Sequence, residues 1–137
     1  MSILQKIIER KRKKLYFLKA RISLSEIKSM ASGIEKLKDF KAAVKRANSR
    51  IRLIAEIKKA SPSQGIIRKD FDPRIIASVY DKKNVDAISI LTEEDYFQGK
   101  LEYVEMVNGI TTKPILRKDF IFDEYQIYES KAYREDA

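Results

Sequence analysis

The stretch Ile54-Ala55-Glu56-Ile57-Lys58-Lys59-Ala60-Ser61-Pro62-Ser63 marks a change of period in the chain. Before it, apolar residues recur every three or four positions. From it onward, short apolar runs alternate with capped helical segments. Residues 52–58 read as a strand in which Glu56 and Lys58, two apart, share one face. Ser61-Pro62-Ser63 then offers hydroxyls and backbone donors, a composition that suits either an anion contact or a plain turn.

Working downstream, Asp72-Pro73 supplies a helix N-cap with proline at the first helical position. Ile75, Ile76, Val79 and Tyr80 are expected as the buried face of that helix, which should run to about residue 83. Ala87-Ile88-Ser89-Ile90-Leu91 is a second strand, followed by a helix over about residues 101–107 that is expected to close on Asn108-Gly109 in a left-handed cap. Residues 114–117 form a third strand, and Asp123 with Gln126 makes a capping box that opens a helix to about residue 133. Three β-α units in succession give an α/β chain with a parallel sheet and right-handed crossovers. Three such strands leave both sheet edges open, so the pattern calls for further strands, either from elsewhere or from a larger barrel.

Working upstream, Ile3, Leu4, Ile7, Ile8, Leu15 and Leu18 define an amphipathic helix over about residues 4–19. Ser23-Leu24-Ser25-Glu26 has capping-box form and starts a second helix that ends before Gly33. A third starts at Asp39, with Phe40, Ala43, Val44 and Ala47 as its apolar stripe and Asn48-Ser49 as its break. Residues 1–50 are therefore expected to be all-helical.

Charge divides the chain at the same place. Residues 1–52 hold 16 basic and 4 acidic side chains, net +12, whereas residues 53–137 hold 13 and 16, net −3. The cluster Lys11-Arg12-Lys13-Lys14 with Lys6, Arg10, Lys19 and Arg21 suits a solvated helix face or, as the minor reading, a phosphate-tracking patch for nucleic acid. With no cysteine and no histidine, disulfides, thiol nucleophiles and the commonest general base are excluded, so any catalysis rests on Lys, Asp, Glu, Tyr or Ser. No apolar run is long enough to span a bilayer and the N-terminus is not signal-like, so the expected location is the cytoplasm, away from membranes.

In a β/α barrel the working groups sit at the C-terminal ends of the strands. Glu56, Lys58 and Lys118 fall there: one lysine as a proton donor and the other as an anion contact, with Glu56 accepting a proton or tuning either lysine, or all three simply as solvated strand-end charges. Phe97 and Phe120 follow the second and third strands and could stack on an aromatic ring or only cover the barrel mouth. No glycine-rich phosphate loop, nucleotide fingerprint or metal-spaced carboxylate set is present.

Three stretches together resemble one family. Ile54 to Ser63, then Ile88-Ser89-Ile90-Leu91-Thr92-Glu93 with Tyr96-Phe97-Gln98-Gly99, then Pro114-Ile115-Leu116-Arg117-Lys118-Asp119-Phe120, are similar to the first three strand signatures of the indole-3-glycerol phosphate synthases. Ile3-Leu4, Ile7 and Glu9-Arg10-Lys11 resemble that family's helical extension. The resemblance implies a (β/α)8 TIM barrel of the ribulose-phosphate-binding type, with residues 1–50 as extension and residues 51–137 as the first three β-α units. It implies a lyase of tryptophan biosynthesis that closes the ring of 1-(2-carboxyphenylamino)-1-deoxyribulose 5-phosphate with loss of carbon dioxide and water, without cofactor or metal.

By the same resemblance Lys118 is the general acid, Lys58 contacts the anionic substrate, and Glu56 is the carboxylate partner and an available base. Ser61 helps bind the small phosphorylated substrate, and Phe97 and Phe120 line its aromatic pocket. The family's fourth-strand Glu, sixth-strand Asn and later phosphate-binding loops have no counterpart, so the chain is expected to be an N-terminal half, inactive or nearly so unless a complementing C-terminal half-barrel is supplied. Arg134 stands where the family usually has glycine after the third barrel helix, at a cost of roughly 1 kcal/mol if the position is left-handed.

Overall fold

The structure is a computed structural model that describes residues 1–45, 47 and 50–137. Helices α1 (Ile3–Arg21), α2 (Leu24–Ser32) and α3 (Phe40–Val44) precede β1 (Ile54–Ile57). A hairpin of β2 (Ala60–Ser61) and β3 (Gly65–Ile66) follows, then α4 (Pro73–Lys82), β4 (Ala87–Leu91), α5 (Glu102–Asn108), β5 (Ile115–Lys118) and α6 (Glu124–Ala132). The main sheet has the order β1-β4-β5, all parallel, so the three β-α units expected from the sequence lie side by side in chain order.

Strand β4 is the spine, because every one of its five residues is buried. Ile88 and Ile90 join Ile57, Ile115, Ile76, Ala77, Val104 and Val107 in one apolar cluster between the sheet and helices α4 and α5. Strand parity puts Glu56, Ser89 and Leu116, which are register partners, on the opposite face. A second cluster, built on Leu15, Ile27 and Tyr125, joins α1 and α2 to α6, and the Tyr125 hydroxyl donates to the Ile22 carbonyl at 3.0 Å. Burying large side chains of this kind stabilises by about 1.5–3 kcal/mol each.

The basic character of α1 is answered within the chain. Lys11 pairs with Asp119 at 2.6 Å, Lys14 with Glu94 at 2.6 Å and Asp95 at 3.0 Å, and Lys19 with Asp123 at 2.7 Å. All four acids follow β4 or β5, so α1 straps the loops at one end of the sheet. Lys38 works at the other end: its backbone N–H donates to Asp136, and its ammonium to Asn108 and to the Lys113 carbonyl. Asp136 in turn accepts the Ile115 N–H at the start of β5.

Several expectations are corrected. Gly109 has φ −73°, so α5 closes without a left-handed residue; Asn84 (φ 54°) takes that conformation after α4, and Arg134 (φ 62°) after α6 is left-handed, as considered for its position. Ile75 and Val79 are exposed, because α4 meets the sheet through Ile76, Ala77 and Tyr80 and turns the other two outward. Ile3 and Leu4 are likewise exposed in the first turn of α1. Helix α3 ends at Val44 and buries nothing fully, while Ala47 is exposed and non-helical; the expected Asn48-Ser49 break lies outside the described residues. The Ser61-Pro62-Ser63 segment enters a hairpin, made tight by Gly65 at φ 64°.

Behind β5, Arg117 is buried and contacts Glu129 at 3.0 Å, Asp119 at 3.4 Å and Glu135 at 4.0 Å. Neither carboxylate oxygen of Glu135 has a hydrogen-bond partner among the described residues. Burial pushes its carboxyl up to about 8, against the pull of Arg117 and with the repulsion of Glu129 and Asp119. The folded state therefore holds a proton that the unfolded chain releases near pH 4.5, so this group's contribution to stability is lost as pH rises toward about 8. Glu135→Gln is expected to flatten that decline and to raise the unfolding free energy at pH 8 by up to a few kcal/mol, read from urea melts across pH. Arg134→Gly removes a left-handed non-glycine residue and is expected to stabilise by about 1 kcal/mol in the same melts; no gain would mean that the Arg134 backbone is unstrained.

Candidate active site

Glu56 lies in β1, Lys58 immediately after it, and Lys118 at the end of β5, and the structure brings the three together. Lys118 Nζ donates to Glu56 Oε1 at 2.6 Å, and Lys58 Nζ lies 3.4 Å from Glu56 Oε2. One carboxylate thus bridges two ammonium groups across the width of β4. The bridging is possible because Glu56 is the register partner of Ser89, while Lys118 pairs with Leu91 two residues further along the same face. Tyr80 of α4 donates its hydroxyl to the Glu56 carbonyl at 2.8 Å, which fixes the backbone that carries the carboxylate. Partial burial pushes the Glu56 carboxyl upward, but the hydrogen bonds and charges of Lys118 and Lys58 outweigh it and hold the group below its ordinary range.

The arrangement leaves a net positive mouth. An anion arriving there can share the two ammonium groups with Glu56, and Lys118, 56% exposed, can reach a reacting oxygen. Phe97 and Phe120 face each other with ring centroids 6.2 Å apart and planes tilted by 45°, so the two aromatics expected near the mouth also form a pair. Ser61 is different. Its hydroxyl accepts the Gln64 N–H at 3.2 Å and approaches Ser63, so its hydrogen bonds stay within its own hairpin.

Two residues that the sequence reading gave no role shape the loop after β4. Glu93 is buried, and its carboxylate accepts the backbone N–H groups of Asp95, Tyr96 and Phe97 at 3.1, 2.7 and 3.1 Å. No local pattern marks it, because the recurrent side-chain-capped turns use the shorter Ser, Thr, Asn and Asp. Gly99 closes the same loop through its N–H to the Glu93 carbonyl at 2.8 Å. A Cβ there would stand 2.2 Å from the Leu91 carbonyl oxygen, which backbone cannot yield cheaply.

A family model described as indole-3-glycerol phosphate synthase matches residues 4–137, almost the whole chain. The chain belongs to the indole-3-glycerol phosphate synthase family. Relatives named indole-3-glycerol phosphate synthase include one from Clostridium acetobutylicum, 50% identical over 136 residues, covering 98% of this chain and 51% of the relative. Another from Alkaliphilus metalliredigens is 50% identical over 135 residues, with the same shares. One from Thermoanaerobacter pseudethanolicus is 53% identical over 114 residues, covering 83% of this chain and 41% of the relative. The chain spans about half the length of the curated relatives it matches. The α/β architecture with its parallel sheet agrees with a part of the barrel expected of an indole-3-glycerol phosphate synthase.

Gly99→Ala is expected to push the loop off Leu91 and Thr92, destabilising the chain by about 2 kcal/mol as an overpacked site does and shifting the Phe97 and Phe120 ring resonances in NMR spectra. Unchanged rings would show that the loop absorbs the extra methyl without moving.

Proposed function

We propose that this chain supplies one wall of an indole-3-glycerol phosphate synthase active site, on the first three β-α units of a (β/α)8 barrel preceded by a helical extension over residues 1–50. The reaction is the ring closure of 1-(2-carboxyphenylamino)-1-deoxyribulose 5-phosphate, with loss of carbon dioxide and water, as a step of tryptophan biosynthesis in the cytoplasm. The observation that carries this reading is the Lys118–Glu56–Lys58 bridge at the strand ends.

In this reading Lys118 protonates the substrate ketone oxygen as the aromatic ring attacks the carbon. Lys58 holds the anionic substrate beside it. Glu56 keeps both ammonium groups in place before substrate arrives, then serves as carboxylate partner and base. Phe97 and Phe120 flank the aromatic ring, and Ser61 contributes from the hairpin rim. No cofactor or metal enters the scheme. Two lysines against one carboxylate suit a doubly anionic substrate, since positive charge is preorganised where negative charge collects.

The remaining wall belongs to a complementing half-barrel. Support comes from the margins of the sheet: Leu53 and Ile54 on the β1 side are exposed, as are Ile75 and Val79 of α4. On the other margin, Arg117 N–H donates to Ala137 O, and the Asp136 and Ala137 N–H groups donate to Ile115 O, so the backbone after α6 already runs alongside β5. The intramolecular pairing of Lys11, Lys14 and Lys19 favours an internal use of the basic helix over nucleic-acid binding. Among the described residues no helix is long and apolar enough to cross a membrane.

The expected outcome is that the 137-residue chain alone gives no turnover, and that addition of a C-terminal half of a relative gives measurable product. In that assembled enzyme Lys118→Met should lower kcat by about 10²-fold or more, the scale of a lost general acid. Full turnover by the Lys118→Met form would overturn the assignment.

A further inference from the structure

Asp119 follows Lys118, yet its side chain is 1% exposed and lies on the opposite side of β5. Both oxygens are fully used. Oδ1 accepts Lys11 Nζ at 2.6 Å and the Phe120 N–H at 2.7 Å; Oδ2 accepts the Thr92 hydroxyl at 2.7 Å and the Arg117 guanidinium at 3.4 Å. These donors come from α1, from the residue after β4, from β5 itself and from Phe120, the second residue of the following loop. Arg117, in β5, and Asp119, in the bend that follows it, are therefore held together on the outer face. Residue 118 between them is obliged to project to the inner face, toward Glu56.

We propose that Lys11 is a positioning residue: through Asp119, helix α1 sets the end of β5 so that Lys118 meets Glu56 and Phe120 meets Phe97. The inference rests on the reading of Lys118 as the general acid, while the geometry it invokes can be tested without turnover. Among the described residues Lys11 is the sole lysine that donates to Asp119, and its side chain is 14% exposed, so water replaces it poorly. Removing it leaves a buried carboxylate one charged donor short, which favours reorientation toward Arg117 or solvent and drags the Phe120 N–H with it. Lys14 and Lys19 bind the same helix to neighbouring loops through Glu94, Asp95 and Asp123, without touching Asp119. They allow docking of α1 to be separated from control of Lys118.

The test uses the 137-residue chain, with acetylation of individual lysines followed by mass spectrometry and the backbone amide of Phe120 followed by NMR. Lys11→Met is expected to raise acetylation of Lys118 about threefold relative to Lys69, the scale of loosening a partly exposed ion pair, and to move the Phe120 amide signal. Lys11→Arg should restore both readouts, and Lys14→Met should alter neither. Parent-like reactivity and an unmoved Phe120 amide in Lys11→Met would overturn the proposal, and so would an equal response to Lys14→Met. If Lys11→Met fails to fold, Lys11→Gln, which keeps a neutral donor, carries the same expectation and the same refutation. Full turnover of Lys118→Met in the assembled enzyme would remove the general-acid reading yet leave these two readouts standing.

Discussion

Everything in the sheet is referred to β4. It is flanked by parallel partners on both sides, and all five of its side chains are excluded from water. Because the side-chain period of a strand is two, slipping either neighbour by one residue would turn its entire inward set outward. The apolar cluster of Ile57, Ile88, Ile90 and Ile115 forbids such a slip, since it would drive Glu56 or Lys118 into the layer beneath α4 and α5. Burial on one face thus fixes charge placement on the other, and the Glu56 bridge to two lysines follows from a core that contains none of them.

That logic explains how much could be read from the sequence. The β-α alternation, the caps at Ser23, Asp72 and Asp123, and the shared face of Glu56 and Lys58 rest on local chemistry, and the structure agrees with each. The pairing of Phe97 with Phe120 and of Glu56 with Lys118 needed the register of three strands, which no local signal encodes; the resemblance to a family stood in for it. Where the reading failed, a tertiary preference had won. Gly109 is right-handed at the end of α5, and Ile75 and Val79 lost their burial because α4 contacts the sheet with a narrower stripe than its apolar residues define. Glu93 and Asp119 were invisible as organisers because a carboxylate in a sequence carries no mark of how many backbone or side-chain donors will surround it.

Charge segregation along the chain has a similar origin. The excess of lysine and arginine before residue 53 and of acids after it looks like a binding surface for an external polyanion. In the fold it is complementarity between an extension and the loops it covers, with Lys11, Lys14 and Lys19 meeting Asp119, Glu94 and Asp123. Arg10 over the Tyr96 ring and Arg12 over the Phe122 ring extend the same contact with cation–π geometry, at 5.6 and 5.7 Å.

The partners of α1 also set an order of events. Asp119, Asp123 and Tyr125, on which the helix rests, are translated more than a hundred residues after Lys11. The β4-centred layer can close through contacts between successive units, whereas the strap must close a loop of nearly the full chain length. On the ribosome α1 is consequently made well before it can be seated on α6, and until then its Leu15 and Leu18 have only the neighbouring α2 residues for cover.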